Sequence, residues 1–168
     1  MAHPFVNTPL AIPHGLPRLI ATYGTPWPYV DRKPAWEMAI LDTVALPHAL
    51  PYAYGPTEVY VILGHRLIVT RVAAILMACL QDGVPKDRLA YGGMYCWRPK
   101  RTRGELSTHT WGIALDLDPA RNPQGRRWDG GERMVPPSVV RRFEDAGFVW
   151  GGRWGVPDCQ HFQAVDGY

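Results

Sequence analysis

The sequence predicts an α+β fold, a small and mainly antiparallel sheet packed against helices. Three observations lead there. Residues 65–81 carry apolar side chains at helical spacing, with Leu67, Ile68, Val72, Ile75, Leu76, Cys79 and Leu80 on one stripe. Short β-branched or alternating stretches at 58–63, 88–97, 112–117 and 161–165 read as strands. Seventeen Pro and seventeen Gly keep the elements short. The 168 residues suffice for one domain with a real core. It divides into a Pro-rich ordered wrap over 1–56 and a core over 57–168.

In the wrap, prolines at 4, 9, 13, 17, 26, 28, 34, 47, 51 and 56 exclude long helices. Residues 16–24 fit one short helix closed by Gly24. Residues 36–46 read as a short strand or an arm against the core. The segment is too apolar for disorder. Glu58 to Leu63 is a strand leading into the 65–81 helix, which Gly83 ends, and His65 falls at the helix start or on the surface. Residues 88–97 form a strand interrupted at Gly92-Gly93, and 98–106 a basic loop. In the strand over 112–117, alternation sets Ala114, Asp116 and Asp118 on one face, with Ile113, Leu115 and Leu117 on the buried other. Asp118 is expected at the surface or capping a turn. Residues 119–135 read as a long, mobile polar loop with Arg121, Arg126, Arg127 and Arg133. Pro137 to Ala146 is a short helix with proline at its start and Gly147 after its end. Residues 161–165 close the sheet.

The composition, 46% hydrophobic and 20% charged, is that of an ordinary globular chain. Its formal net charge is only +3, but Arg98, Lys100, Arg101 and Arg103 cluster within six residues. No nucleic-acid reader motif accompanies them, so an anionic substrate is the better reading than nucleic acid. Seven Trp and eight Tyr suit sugar or peptide recognition, though core packing claims most of them. Cys79, Cys96 and Cys159 form no CxxC pair and are expected as reduced thiols. The first residues lack a basic and an apolar region of the secretory kind, and no apolar run is long enough for a membrane span. The chain is expected to be a monomer.

Two stretches carry candidate chemistry. One runs Ser107-Thr-His109-Thr-Trp111-Gly112-Ile-Ala114-Leu-Asp116-Leu-Asp118, the other Trp154-Gly-Val-Pro-Asp158-Cys-Gln-His161-Phe162. They offer two imidazoles, one carboxylate on an apolar strand, and one spare carboxylate. A carboxylate buried without a partner is costly, and a metal ion would remove that cost. Three protein ligands of N, N and O type suit an open zinc site, which needs a base beside its water. Cys159 lies two residues from His161 on an extended segment and is rejected as a ligand. Ser107 lacks the GxSxG setting of a serine nucleophile. Gly112 and Ala114 are small where bulk would crowd a metal.

The pattern SxHxxGxAxD, followed by a distant Asp-x-x-His-Phe, resembles the D-Ala-D-Ala carboxypeptidase and L-alanyl-D-glutamate endopeptidase branch of zinc peptidases. Phage endolysins belong to that branch, and its fold is shared with the hedgehog signalling domain. The resemblance is dense from about Tyr91 to Phe162. Residues 15–16 through 24–26 are similar to the N-terminal lead of phage-type members. The resemblance implies His109, Asp116 and His161 as Zn²⁺ ligands and Asp158 as the general base. Many relatives carry Glu at that position, and phage-type members often Asp. It also implies an oxyanion-binding arginine, Arg98 or, as runner-up, Arg101. Ser107, Trp111 and Trp154 are candidates for substrate contact or for orienting a ligand. The implied activity is hydrolysis of an amide bond in bacterial peptidoglycan stem peptides, with L-Ala-D-Glu favoured. An endolysin would wait in the host cytoplasm until a holin opens its way to the wall. A D-Ala-D-Ala carboxypeptidase or dipeptidase and a non-catalytic zinc domain are the alternatives.

Overall fold

A computed structural model describes residues 8–26, 33–100 and 105–168. Within them the fold is α+β, with four α-helices and two antiparallel sheets. The N-terminal part holds α1 (Gly15–Tyr23), α2 (Lys33–Ile40) and β1 (Leu41–Pro51). Helix α1 stops at Gly24, whose φ of 89° lets its N–H reach Ile20 O. The strand or arm expected over 36–46 is the end of α2 followed by the start of β1. Prolines do not prevent this. Pro17 and Pro34 stand in first turns, where no N–H is needed. Pro47 lies where the β1 register shifts, between Ala45 and Leu50.

Strand β1 pairs with β2 (Glu58–His65), so the division at 56/57 falls inside a hairpin. Strand β2 runs two residues beyond the expected end. His65 is therefore a buried strand terminus, and the helix begins only at Val69 (α3, Val69–Gln81). Leu67 turns outward to solvent, while Ile68, Val69, Val72, Ile75, Leu76 and Cys79 form the inward stripe. A 3₁₀ turn at Lys86–Leu89 takes the start of the strand expected over 88–97, leaving β3 (Tyr91–Gly93).

The second sheet has the order β3-β4-β6-β5, with β4 (Ala114–Leu117), β5 (Val149–Trp150) and β6 (His161–Gln163), and every pairing is antiparallel. Leu115, Leu117 and Phe162 are fully buried on its core face. Phe162 stacks on Phe143 of α4 (Pro137–Asp145) with centroids 4.5 Å apart. Burying side chains of this size contributes about 1.5–3 kcal/mol each. Among the described residues, no helix is long and apolar enough to cross a membrane.

Of the two places expected for Asp118 the turn holds and the surface does not, and the loop after it is not loose. Asp118 is not at the surface: it is 4% exposed, has φ 46°, and pairs with Arg121 at 2.9 Å. The strand alternation ends there because the chain turns. The 119–135 loop is also held down rather than loose. Buried Asn122 donates to the Leu117 and Asp118 carbonyls and accepts from Val135 N–H. Asp129 accepts from the N–H groups of Gly131, Arg133 and Met134. Gly125 N–H donates to Pro157 O, tying the loop to the segment before Asp158. Composition suggested mobility, but a hydrogen-bonded loop has little freedom to open.

Candidate metal centre

The centre is built on a strand pair and a turn. In β4 and β6 side chains alternate, so Asp116 and His161 face away from the core that holds Leu115 and Phe162. The register sets Asp116 directly opposite His161. His161 Nδ1 lies 2.9 Å from Asp116 Oδ1. On the other side, β3 passes close because residue 92 is glycine. A Cβ there would stand 2.9 Å from Asp116 O.

His109 comes from a 3₁₀ turn, Thr108–Trp111, between two sequence signals. Ser107 caps its start, its Oγ accepting from His109 N–H at 3.3 Å. Gly112 ends it with φ 66°, pressed so close to His65 N that a Cβ would sit 2.7 Å away. The turn aims His109 Nε2 at Asp116 Oδ2, 3.2 Å off. The two imidazoles meet edge to face with centroids 5.1 Å apart. One donor atom from each of His109, Asp116 and His161 lies within 4.8 Å of the others.

These residues fit a zinc ion. His109 Nδ1 lies 2.9 Å from Met94 O, so that nitrogen carries the proton it donates. Its Nε2 is then a bare lone pair, buried and without a hydrogen-bond partner. A buried nitrogen left unpartnered is costly unless something else satisfies it, and a cation beside a carboxylate does so. Burial alone would push the Asp116 carboxyl up, but the two imidazoles beside it outweigh that and hold Asp116 well below the usual carboxylate range. Burial would likewise lower His161, yet Asp116 beside it carries the imidazole above its ordinary value.

Asp158 stands three residues before His161, on a loop folded back on itself. Gly151 O accepts from both Trp154 N–H and Asp158 N–H. A Cβ at Gly151 would come within 2.6 Å of Asp158 O, so this return needs glycine. The Asp158 O accepts from His161 N–H at 3.1 Å, and Gln160 Nε2 donates to Asp158 Oδ1 at 3.1 Å. Burial raises the Asp158 carboxyl, against the pull of His161. The same loop brings Trp154, 36% exposed, to 5.4 Å from the His161 ring.

The remaining candidates separate. Trp111 is fully buried and gives its indole N–H to Gly24 O, so it packs in the core and does not wall a cleft. Ser107 serves as the turn's cap and is 6% exposed. Arg98 is half-buried and fixed by its backbone. Its O accepts from Ser107 N–H and Thr110 Oγ1, and its N–H donates to Thr110 Oγ1. Arg101 lies outside the described residues. Cys159 is buried, its thiol facing Arg126 O at 3.6 Å. Three groups escaped the sequence reading: Met94, which acts through its carbonyl, and Thr108 and Gln163 beside His161. Gln163 was findable, since it shares the His161 face of β6.

A metal centre on an α+β scaffold is thus the class the geometry defines. Residues 100–164 match the family model described as D-alanyl-D-alanine carboxypeptidase. The match spans His109, Asp116, Asp158 and His161 and leaves Arg98 outside. It supports the broad family of zinc peptidases over that stretch. No curated protein and no solved structure matches the chain.

Proposed function

We propose that this chain is a zinc-dependent peptidase that hydrolyses the L-Ala-D-Glu amide bond of peptidoglycan stem peptides, as an endolysin does. The observation that carries the reading is the buried, unpartnered His109 Nε2 converging with Asp116 and His161. These three would hold the metal. Zinc at such a centre supplies Lewis acidity to the scissile carbonyl and makes a water acidic enough to attack near neutral pH. Asp158, raised by burial, takes the proton of the attacking water and returns it to the leaving amine. Arg98, or Arg101 in its place, steadies the developing oxyanion. Trp154 offers its exposed face to the substrate beside His161.

Asp at position 158 and the 15–26 lead favour the endolysin type, with release from the host cytoplasm by a holin. The family description favours a second reading, removal of the terminal D-Ala. The pinned 119–135 loop argues for neither bond. Digestion of purified peptidoglycan, with the new ends identified by mass spectrometry, decides between them. Amino-terminal D-Glu is expected. Free D-Ala without it would establish the second reading, and no new ends of any kind would overturn both.

A further inference from the structure

Behind His161 lies a buried polar arrangement that the peptidase chemistry does not use. Gln163 is 3% exposed and Thr108 2%. Gln163 Nε2 donates to Val165 O at 2.9 Å. That bond fixes which way the amide points, leaving Oε1 toward His161. There Oε1 lies 3.1 Å from His161 Nε2 and accepts from Thr108 Oγ1 at 3.2 Å. A flipped amide would lose the Val165 bond and set its oxygen against that carbonyl.

We propose that Gln163, with Thr108, is the positioning residue that makes His161 present Nδ1 to the metal. The inference rests on the metal-centre reading above. An imidazole that binds a metal through Nδ1 must be neutral, so its proton sits on Nε2. That N–H is buried and must have an acceptor. Gln163 Oε1 is that acceptor, and Thr108 holds the same oxygen in place. The arrangement mirrors the one at His109, where a main-chain carbonyl, Met94 O, does the work. At His161 the acceptor is a side chain two residues along the same strand face, so it can be changed without touching the backbone.

Zinc affinity measured by chelator competition tests this on Gln163→Met and Gln163→Glu. Gln163→Met keeps the volume and removes the nearer acceptor, leaving Thr108 Oγ1 3.4 Å from His161 Nε2. It should weaken zinc binding by about 10–100-fold, the usual cost of losing an outer partner of a metal ligand. Gln163→Glu restores an acceptor and should recover most of that loss, which a purely space-filling residue would not do. Nitrogen-15 NMR of the zinc-loaded wild type should show Nδ1 of His161 bearing the metal and Nε2 bearing a proton. Unchanged affinity in Gln163→Met, or the reverse nitrogen assignment in wild type, overturns the inference. Should Gln163→Met not fold, the wild-type nitrogen assignment and the Gln163→Glu affinity decide alone. A wild type that takes up no zinc fails the metal-centre reading itself. A wild type that binds zinc while Gln163→Met binds it equally well fails only this one.

Discussion

Two regions of the molecule handle their polar groups in opposite ways. In the centre formed by the His109 turn, β4 and β6, polar side chains converge on a point and leave one buried nitrogen open. In the N-terminal region, residues 8–26 and 33–51, polar atoms instead share single hydrogen bonds with the rest. Trp36 Nε1 donates to Thr110 O at 3.1 Å, Trp111 Nε1 to Gly24 O at 2.8 Å, and Tyr23 Oη to Ala164 O at 2.9 Å. Two of these bonds grip the turn that carries His109, and the third grips the strand end after His161. Among the described residues the N-terminal region supplies no ligand, yet it braces the turn and the strand that carry two of them. A site can therefore be read from its donors while its precision depends on residues with no chemistry of their own.

The sharpest way to break the comparison is to remove a donor. His109→Ala, Asp116→Ala and His161→Ala should each abolish zinc binding and hydrolysis, because an open site needs all three ligands. Metal analysis of the purified variants checks this, and a His109→Ala protein with full zinc would end the assignment. Next in size, Asp158→Asn should keep zinc and fold but lose about 10²-fold or more in kcat. Because burial raises the Asp158 carboxyl, the acid limb of the wild-type kcat/KM profile should lie above the value of an ordinary aspartate. A limb at that ordinary value would move the proton transfer to another group.

His65 tests the bracing side through pH. It is 3% exposed and rings against Tyr23 at 5.1 Å, and burial pushes its pKa down to about 4 from 6.5. The unfolded chain thus binds a proton between those values that the folded one does not. Stability attributable to His65 is complete above pH 6.5 and is lost as pH falls toward 4, about 3 kcal/mol at most. Denaturant midpoints for wild type and His65→Gln should converge as pH drops through that window. Parallel curves would show that His65 does not contribute. The smallest effect is expected for Trp36→Phe, which removes one buried N–H donor and leaves Thr110 O short of a partner. It should cost about 1 kcal/mol, a few degrees in Tm, with zinc retained. A loss of zinc larger than the loss of stability would mean the N-terminal region sets the metal geometry more tightly than one hydrogen bond.

The donors were legible because strand alternation and motif spacing are local properties. Asp116 among Ile113, Leu115 and Leu117, and His161 before Phe162, declare their face by a period of two. The short helices at 15–23 and 137–145 were equally legible from glycine and proline at their ends. What only the tertiary structure decided was what those faces meet. The β4–β6 register opposes Asp116 to His161, and a glycine at 92 lets β3 close beside them. Trp111 stood as a candidate for substrate contact and proved to be core, because its indole meets Gly24, nearly ninety residues earlier in the chain. The 119–135 loop looked mobile until Asn122 and Asp129 found their backbone partners. Sequence states what a side chain can donate, accept or bury. Which group answers it is settled by long-range packing, where the cost of leaving a buried polar atom unpaired selects one arrangement over the others.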